Sequence, residues 1–167
     1  MKGLTVFENV LAAQHCQGNL SLLRTLFPGR VVRESERALR ARAAEIAELI
    51  GLESRMNTEA ASLSCGELRL LEVAIGLGAR PRLLMLDEPA AGLNSEEAMR
   101  LGTILSKLVG TLIEALLLVE HNMSLVMSVS HRIVVMNFGR KIAEGIPAEV
   151  RANPQVIEAY LGSSTTH

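Results

Sequence analysis

The sequence predicts an α/β fold, and three stretches carry that expectation. Leu83-Leu84-Met85-Leu86 is a continuous apolar run, the pattern of a strand buried on both faces as in a parallel sheet. Leu116–Val119 is a second fully apolar strand of the same kind. Glu34–Leu52 is a strong amphipathic helix, with Leu39, Ala43, Ile46, Leu49 and Ile50 forming a stripe and Arg and Glu on the other face.

Composition bounds what such a fold can do. With 167 residues, 49% hydrophobic and 21% charged, the chain is long enough for one domain with a real core and is not of the disordered type. Lys and Arg number 17 against 18 Asp and Glu, which offers no broad attraction to nucleic acid. Aromatics at 2% argue against a base-stacking platform. Cys16 and Cys65 lack metal-like spacing and read as free thiols of a reducing compartment. No apolar run approaches the roughly 20 residues that span a bilayer, and Glu8 interrupts any secretion signal at the start. The expectation is a cytoplasmic protein that meets a membrane only through partners.

Taken in order, Thr5 and Glu8 have capping-box spacing and open a first helix. His15, near its end, reads as a surface or packing residue. Leu20–Arg33 is a connector with Pro28-Gly29 as its turn, and Gly51 stops the helix that follows. The charge cluster Arg33–Arg42 reads as a solvated helix face, or as a contact surface for another subunit. Ser64 and Glu67 again have capping-box spacing, and the helix they open carries Leu68, Leu71 and Ile75 on one face before ending at Gly78–Pro81. Its N-terminus, with Gly66 in the first turn, leaves amides and a positive dipole end that suit a phosphate.

Asp87 and Glu88 stand at the carboxyl end of the first strand, where open α/β sheets place ligands. Ser95, Glu96 and Glu97 bring negative charge to the start of the next helix, which runs to about Leu108. The second strand ends in Glu120-His121-Asn122. His131 reads as structural. Arg132–Met136 and Lys141–Ala143 flank the hairpin turn Asn137-Phe138-Gly139-Arg140. A helix follows Pro147, a break falls at Asn153-Pro154, and a last helix carries Val156, Ile157, Tyr160 and Leu161 before a loose tail from Ser163 to His167.

In their order and spacing, LSCGE, then LLMLDEP, then GLN resemble the signature motif, Walker B strand and D-loop of ABC-type ATPases. LTVFENV resembles the opening of that family's helical subdomain, and GIPAEVRANPQVIEAYLG resembles the C-terminal extension of its branched-chain amino acid transporter branch. The resemblance implies an incomplete P-loop NTPase fold: a helical subdomain at 1–80, the C-terminal part of the parallel-sheet core at 81–145, and a C-terminal helical extension at 146–167.

It also implies roles. Asp87 would orient water on Mg²⁺, Glu88 would polarise the attacking water, and His121 would contact the γ-phosphate of ATP. Ser64, Cys65, Gly66 and Glu67 would press on a nucleotide held by a second ATP-binding cassette, with Gly92, Leu93 and Asn94 as the D-loop across that interface. Transmembrane permease subunits would be the other partners, no nucleic acid is implied, and the place of work would be the cytoplasmic face of the plasma (inner) membrane. Three positions depart from common family text: Cys65 where Gly or Tyr is frequent, Ile75 for an Arg, and Ser95 for a Pro.

The phosphate-cradling text G-x-x-x-x-G-K-[ST] does not occur in the sequence: the lysines are Lys2, Lys107 and Lys141, and none follows a Gly-rich loop. The Q-loop glutamine is also missing, since Gln14 and Gln17 lie beyond its place. The expectation is that the chain alone neither holds MgATP tightly nor hydrolyses it, and that its uncovered apolar sheet face and open strand edges favour association. The leading functional reading is the C-terminal part of the ATP-binding subunit of a branched-chain or other hydrophobic amino acid importer. Two alternatives are a non-catalytic module supplying the signature in trans to a full-length cassette, and a DNA-repair or chromosome-organising ATPase head. The absence of heptad arms and of basic excess speaks against the last.

Overall fold

The computed structural model describes residues 3–15 and 30–160. The expectations at Cys16, Pro28-Gly29, Leu161 and the tail, and for the His15 side chain, lie outside the described residues. The chain divides into two compact units, Met1–Glu120 and His121–His167.

The first unit contains α1 (Val6–His15), α2 (Arg30–Ile50), α3 (Cys65–Gly78), β1 (Leu83–Asp87), α4 (Ser95–Leu108) and β2 (Ala115–Val119). Thr5 opens α1 as expected: its Oγ1 accepts from the Glu8 amide at 3.2 Å, and the Glu8 carboxylate accepts from the Thr5 amide at 2.8 Å. α2 begins at Arg30 rather than Glu34, so the end of the expected connector is helical. No Pro or Gly interrupts the text from Arg30 onward, so nothing stops the helix from extending backward. It ends at Gly51 in a paired stop, with Gly51 N–H on Glu48 O at 3.1 Å and Leu52 N–H on Ala47 O at 2.8 Å.

The core of this unit is made where α1, α2 and α3 meet. Val6 and Val10 of α1, Ala43, Ile46, Ala47 and Ile50 of α2, and Leu71, Ala74 and Leu77 of α3 are all buried. Leu39 and Leu49, placed in the stripe by sequence, are only half-buried, and Ala47 joins the core instead. The face of α3 also turns out rotated: Leu68 is exposed, while Leu70, Val73 and Ala74 lie inside. The charged face of α2 is partly structural, since Arg42 pairs with Glu45 at 2.7 Å and Arg40 lies 5.7 Å from the Phe7 ring centroid.

β1 and β2 pair in parallel, with Leu83 opposite Ala115, Met85 opposite Leu117, and Asp87 opposite Val119. The expectation of burial on both faces does not hold. Leu84 is buried against α3, close enough that a Cβ on Gly76 would come within 2.9 Å of its Cδ1. On the opposite face Leu83, Met85, Leu117 and Val119 are exposed, Met85 by 65%. α3 covers one side of the ribbon, and no described element of this unit covers the other.

The second unit contains α5 (Met123–Val129), β3 (Ile133–Asn137), β4 (Arg140–Gly145), α6 (Pro147–Ala152) and α7 (Pro154–Tyr160). β3 and β4 form the expected hairpin, and Phe138 and Gly139 both take positive φ, 44° and 75°, the geometry of a two-residue loop matched to strand twist. Ile133, Val135 and Ala143 pack with Val150 of α6 and Val156 of α7. Pro147 opens α6, and the break at Asn153-Pro154 separates the two helices as expected. On the exposed side Glu144 binds Lys141 at 2.7 Å and Arg132 at 2.6 Å, and these two cations pull its carboxyl down to about 2.

Candidate functional site

The site is assembled at three turns of the first unit. At the first, Ser64 has the extended backbone of an N-cap, and both halves of the expected capping box are made. Ser64 Oγ accepts from the Glu67 amide at 3.2 Å, and Glu67 Oε2 accepts from the Ser64 amide at 2.9 Å. Glu67 Oε1 accepts from Arg55 Nε at 2.8 Å. The backbone bond from Ser64 is the main reason the Glu67 carboxyl lies below its ordinary range, with Arg55 adding to it. This device closes the turn with the Glu67 and Ser64 amides and commits neither the Cys65 nor the Gly66 amide, among the described residues. Cys65 is exposed and free.

At the second turn, Asn94 caps α4 by the same device. Its Oδ1 accepts from the Glu97 amide at 3.0 Å, and Glu97 Oε2 accepts from the Asn94 amide at 3.0 Å. The acidic first turn is the signal stated from the sequence here; Asn94 three residues before Glu97 is the further signal that marks the cap. The two capped turns abut. A Cβ on Gly66 would lie 3.2 Å from Glu97 Oε1, and one on Gly92 would lie 3.5 Å from Cys65 Sγ. Between them opens a cavity of about 420 Å³ whose walls include Ser64, Gly66, Glu67, Leu93, Glu97 and Arg100. The residues read as signature and D-loop are therefore neighbours.

The third turn follows β1. Asp87 ends the strand, and Asp87 and Glu88 are both exposed. Glu88 has φ of 45°, a region that L residues other than Asn and Asp rarely adopt. Its amide donates to Val119 O at 2.8 Å, carrying the ladder one step past β1. The turn continues with Ala91 N–H on Glu88 O at 3.0 Å and Leu93 N–H on Ala90 O at 3.1 Å. Two side chains reach it from elsewhere: Glu120 Oε1 accepts from Ala90 N–H at 2.8 Å, and Arg69 Nη2 donates to Ala91 O at 3.3 Å. Neither contact is signalled by spacing in the sequence. His121 is exposed and opens the second unit, immediately after Glu120. Asn122, next to it, caps α5 by accepting from the Leu125 amide at 3.1 Å.

Among the described residues, no group of three or more His, Cys, Asp or Glu side chains could hold a metal ion. Asp87 and Glu88 alone do not enclose Mg²⁺, so these residues do not make a self-sufficient metal site.

Comparison with known proteins gives the family. The family model of ABC transporters matches residues 2–91, and that of the branched-chain amino acid ATP-binding cassette transporter matches residues 140–165. The chain is 45% identical over 163 residues to the high-affinity branched-chain amino acid transport ATP-binding protein BraF of Pseudomonas aeruginosa, covering 98% of this chain and 64% of BraF. It is 42% identical over 161 residues to LivG of Escherichia coli, with 96% of this chain and 63% of LivG covered. Among solved structures, the ADP conformation of an ATP-binding cassette of an ABC transporter superposes with a TM-score of 0.75 at 30% identity, covering 95% of this chain and 63% of that one. The chain belongs to the ABC transporter family. It spans a little under two thirds of the length of these curated relatives.

Proposed function

We propose that this chain carries the signature, Walker B and D-loop functions of the ATP-binding subunit of an importer for branched-chain or other hydrophobic amino acids. The observation that carries the reading is the abutment of the Ser64 and Asn94 turns around one cavity, joined through the turn 88–93 to the carboxylates at the end of β1. An exposed helix N-terminus with its Cys65 and Gly66 amides uncommitted suits the terminal phosphate of a nucleotide held by a second cassette. Leu93 and Asn94 would face that partner across the same surface.

Glu88, exposed at the strand end, is the base that would polarise the attacking water, and His121 would contact the γ-phosphate. Mg²⁺, when bound in a complete cassette, neutralises phosphate charge, and Asp87 would orient one of its waters. The chain would work on the cytoplasmic face of the membrane beside permease subunits. Among the described residues no helix is long and apolar enough to cross a membrane.

The test is phosphate release by the chain mixed with a full-length cassette of this branch whose own signature serine has been disabled. Restored turnover that disappears with Ser64→Arg is the expected result, and turnover indifferent to Ser64→Arg would overturn the reading. Glu88→Gln then separates the two roles. No change is expected in this mixture, because the attacked phosphate is held by the partner's phosphate-binding loop; the base role of Glu88 is read in the chain joined to such a loop, where Glu88→Gln should abolish turnover.

A further inference from the structure

We propose that Arg69 and Glu120 are positioning residues that clamp the turn 88–93 from two sides, holding Glu88 and the Gly92–Asn94 turn to α3 as one mechanical piece. The proposal rests on the reading of Glu88 as the water-polarising carboxylate. The turn has no regular structure of its own, and it begins with Glu88 at positive φ, a conformation that persists only where the surroundings hold it. Backbone bonds inside the turn, Ala91 to Glu88 and Leu93 to Ala90, set its curvature without attaching it to anything.

Beyond the Glu88 amide on Val119 O at the start of the turn, two side chains attach it. Ala90 is buried, and its N–H finds its acceptor in Glu120 Oε1 at 2.8 Å, from the end of β2. A carboxylate acceptor makes this the stronger, charge-assisted kind of hydrogen bond. The next residue is held from the opposite side. Ala91 O accepts from both Nε and Nη2 of Arg69, at 3.4 and 3.3 Å, while Arg69 Nη1 is braced by Glu72 at 2.8 Å on the same face of α3. The brace fixes the guanidinium plane, so its fork meets the carbonyl in one orientation. Arg69 is in the second turn of the helix that Ser64 caps, so any shift of the Ser64 turn reaches Ala91 through a single side chain.

Amide hydrogen exchange resolved by residue, on the full chain without nucleotide, tests the clamp. In Glu120→Ala the Ala90 amide should exchange faster by about tenfold or more. Glu120→Gln keeps an acceptor oxygen in place and should return it close to wild type. Arg69→Met should speed exchange at Ala91 and Leu93, with Arg69→Lys recovering part of the protection. The three-bond amide–α coupling of Glu88, which reads its φ, should shift in Glu120→Ala and return in Glu120→Gln.

Unchanged exchange at Ala90 in Glu120→Ala would overturn the proposal, as would Glu120→Gln behaving like Glu120→Ala. Should the alanine variant not fold, Glu120→Met, of similar size and without acceptor oxygens, makes the same comparison. None of these readings involves nucleotide. A clamp that responds as expected in a chain that fails the Ser64→Arg assay counts against the proposed function alone.

Discussion

Leu71 of α3 is 1% exposed and Met85 of β1 is 65% exposed, although both stand in strongly apolar text of the same unit. The difference lies in what surrounds them. α3 is met by α1 and α2, and Val10 and Ile46 of those helices are fully buried with it. The β1–β2 ribbon has apolar side chains on both faces, but α3 covers only the Leu84 side. Apolar sequence states that a surface is better covered; the neighbouring elements decide whether it is.

The sharpest way to break this comparison is a pair of truncations. Leu71→Ala should destabilise the unit by about 2–5 kcal/mol, through lost burial and the cavity left behind. Met85→Ala should stay within about 0.5 kcal/mol, as surface changes do. Urea unfolding of both variants reads the difference directly, and equal losses would mean that Met85 is covered in solution.

A smaller effect separates the two capped turns. Ser64→Ala and Asn94→Ala should each cost about 1 kcal/mol of stability, the usual worth of an N-cap, read from the shift in urea midpoint at constant slope. Because the caps abut, the double variant should depart from the sum of the singles, as contacting sites do. Strict additivity would show that the two turns do not support each other.

The smallest effect belongs to the second unit. Lys141 and Arg132 hold the Glu144 carboxyl at about 2, well below the ordinary carboxylate range. A depressed folded value means the contribution is present above pH ~4.5 and is lost as pH falls towards ~2. Titration by NMR should place the Glu144 midpoint low, and Lys141→Met should raise it. Glu144 is exposed, so the effect on unfolding should be slight.

How much of this was legible in the sequence depended on sequence distance. The Ser64–Glu67 cap, the Phe138-Gly139 turn and the break at Asn153-Pro154 are local devices, and their residues say what they do. Asn94–Glu97 was equally local but was obscured, because Asn94 read as part of a longer motif and Ser95–Glu97 as dipole charge. Arg69 and Glu120 carried no signal, since their bonds to the turn span 22 and 30 residues and depend on which helix and strand end lie beside it.

The sequence alone determined the strands, the helix stops, the caps and the motif order that marks the family, because hydrophobic period, backbone preference and short-range hydrogen bonds are properties of neighbouring residues. Only the tertiary structure decided that α3 turns Leu70 and Ala74 inward and Leu68 outward, that the parallel ribbon keeps one face bare, and that Arg69 and Glu120 hold the turn after Asp87. Those outcomes follow from which surfaces come together after the chain has folded. A linear pattern states what each residue favours, and packing then chooses which of those preferences are met.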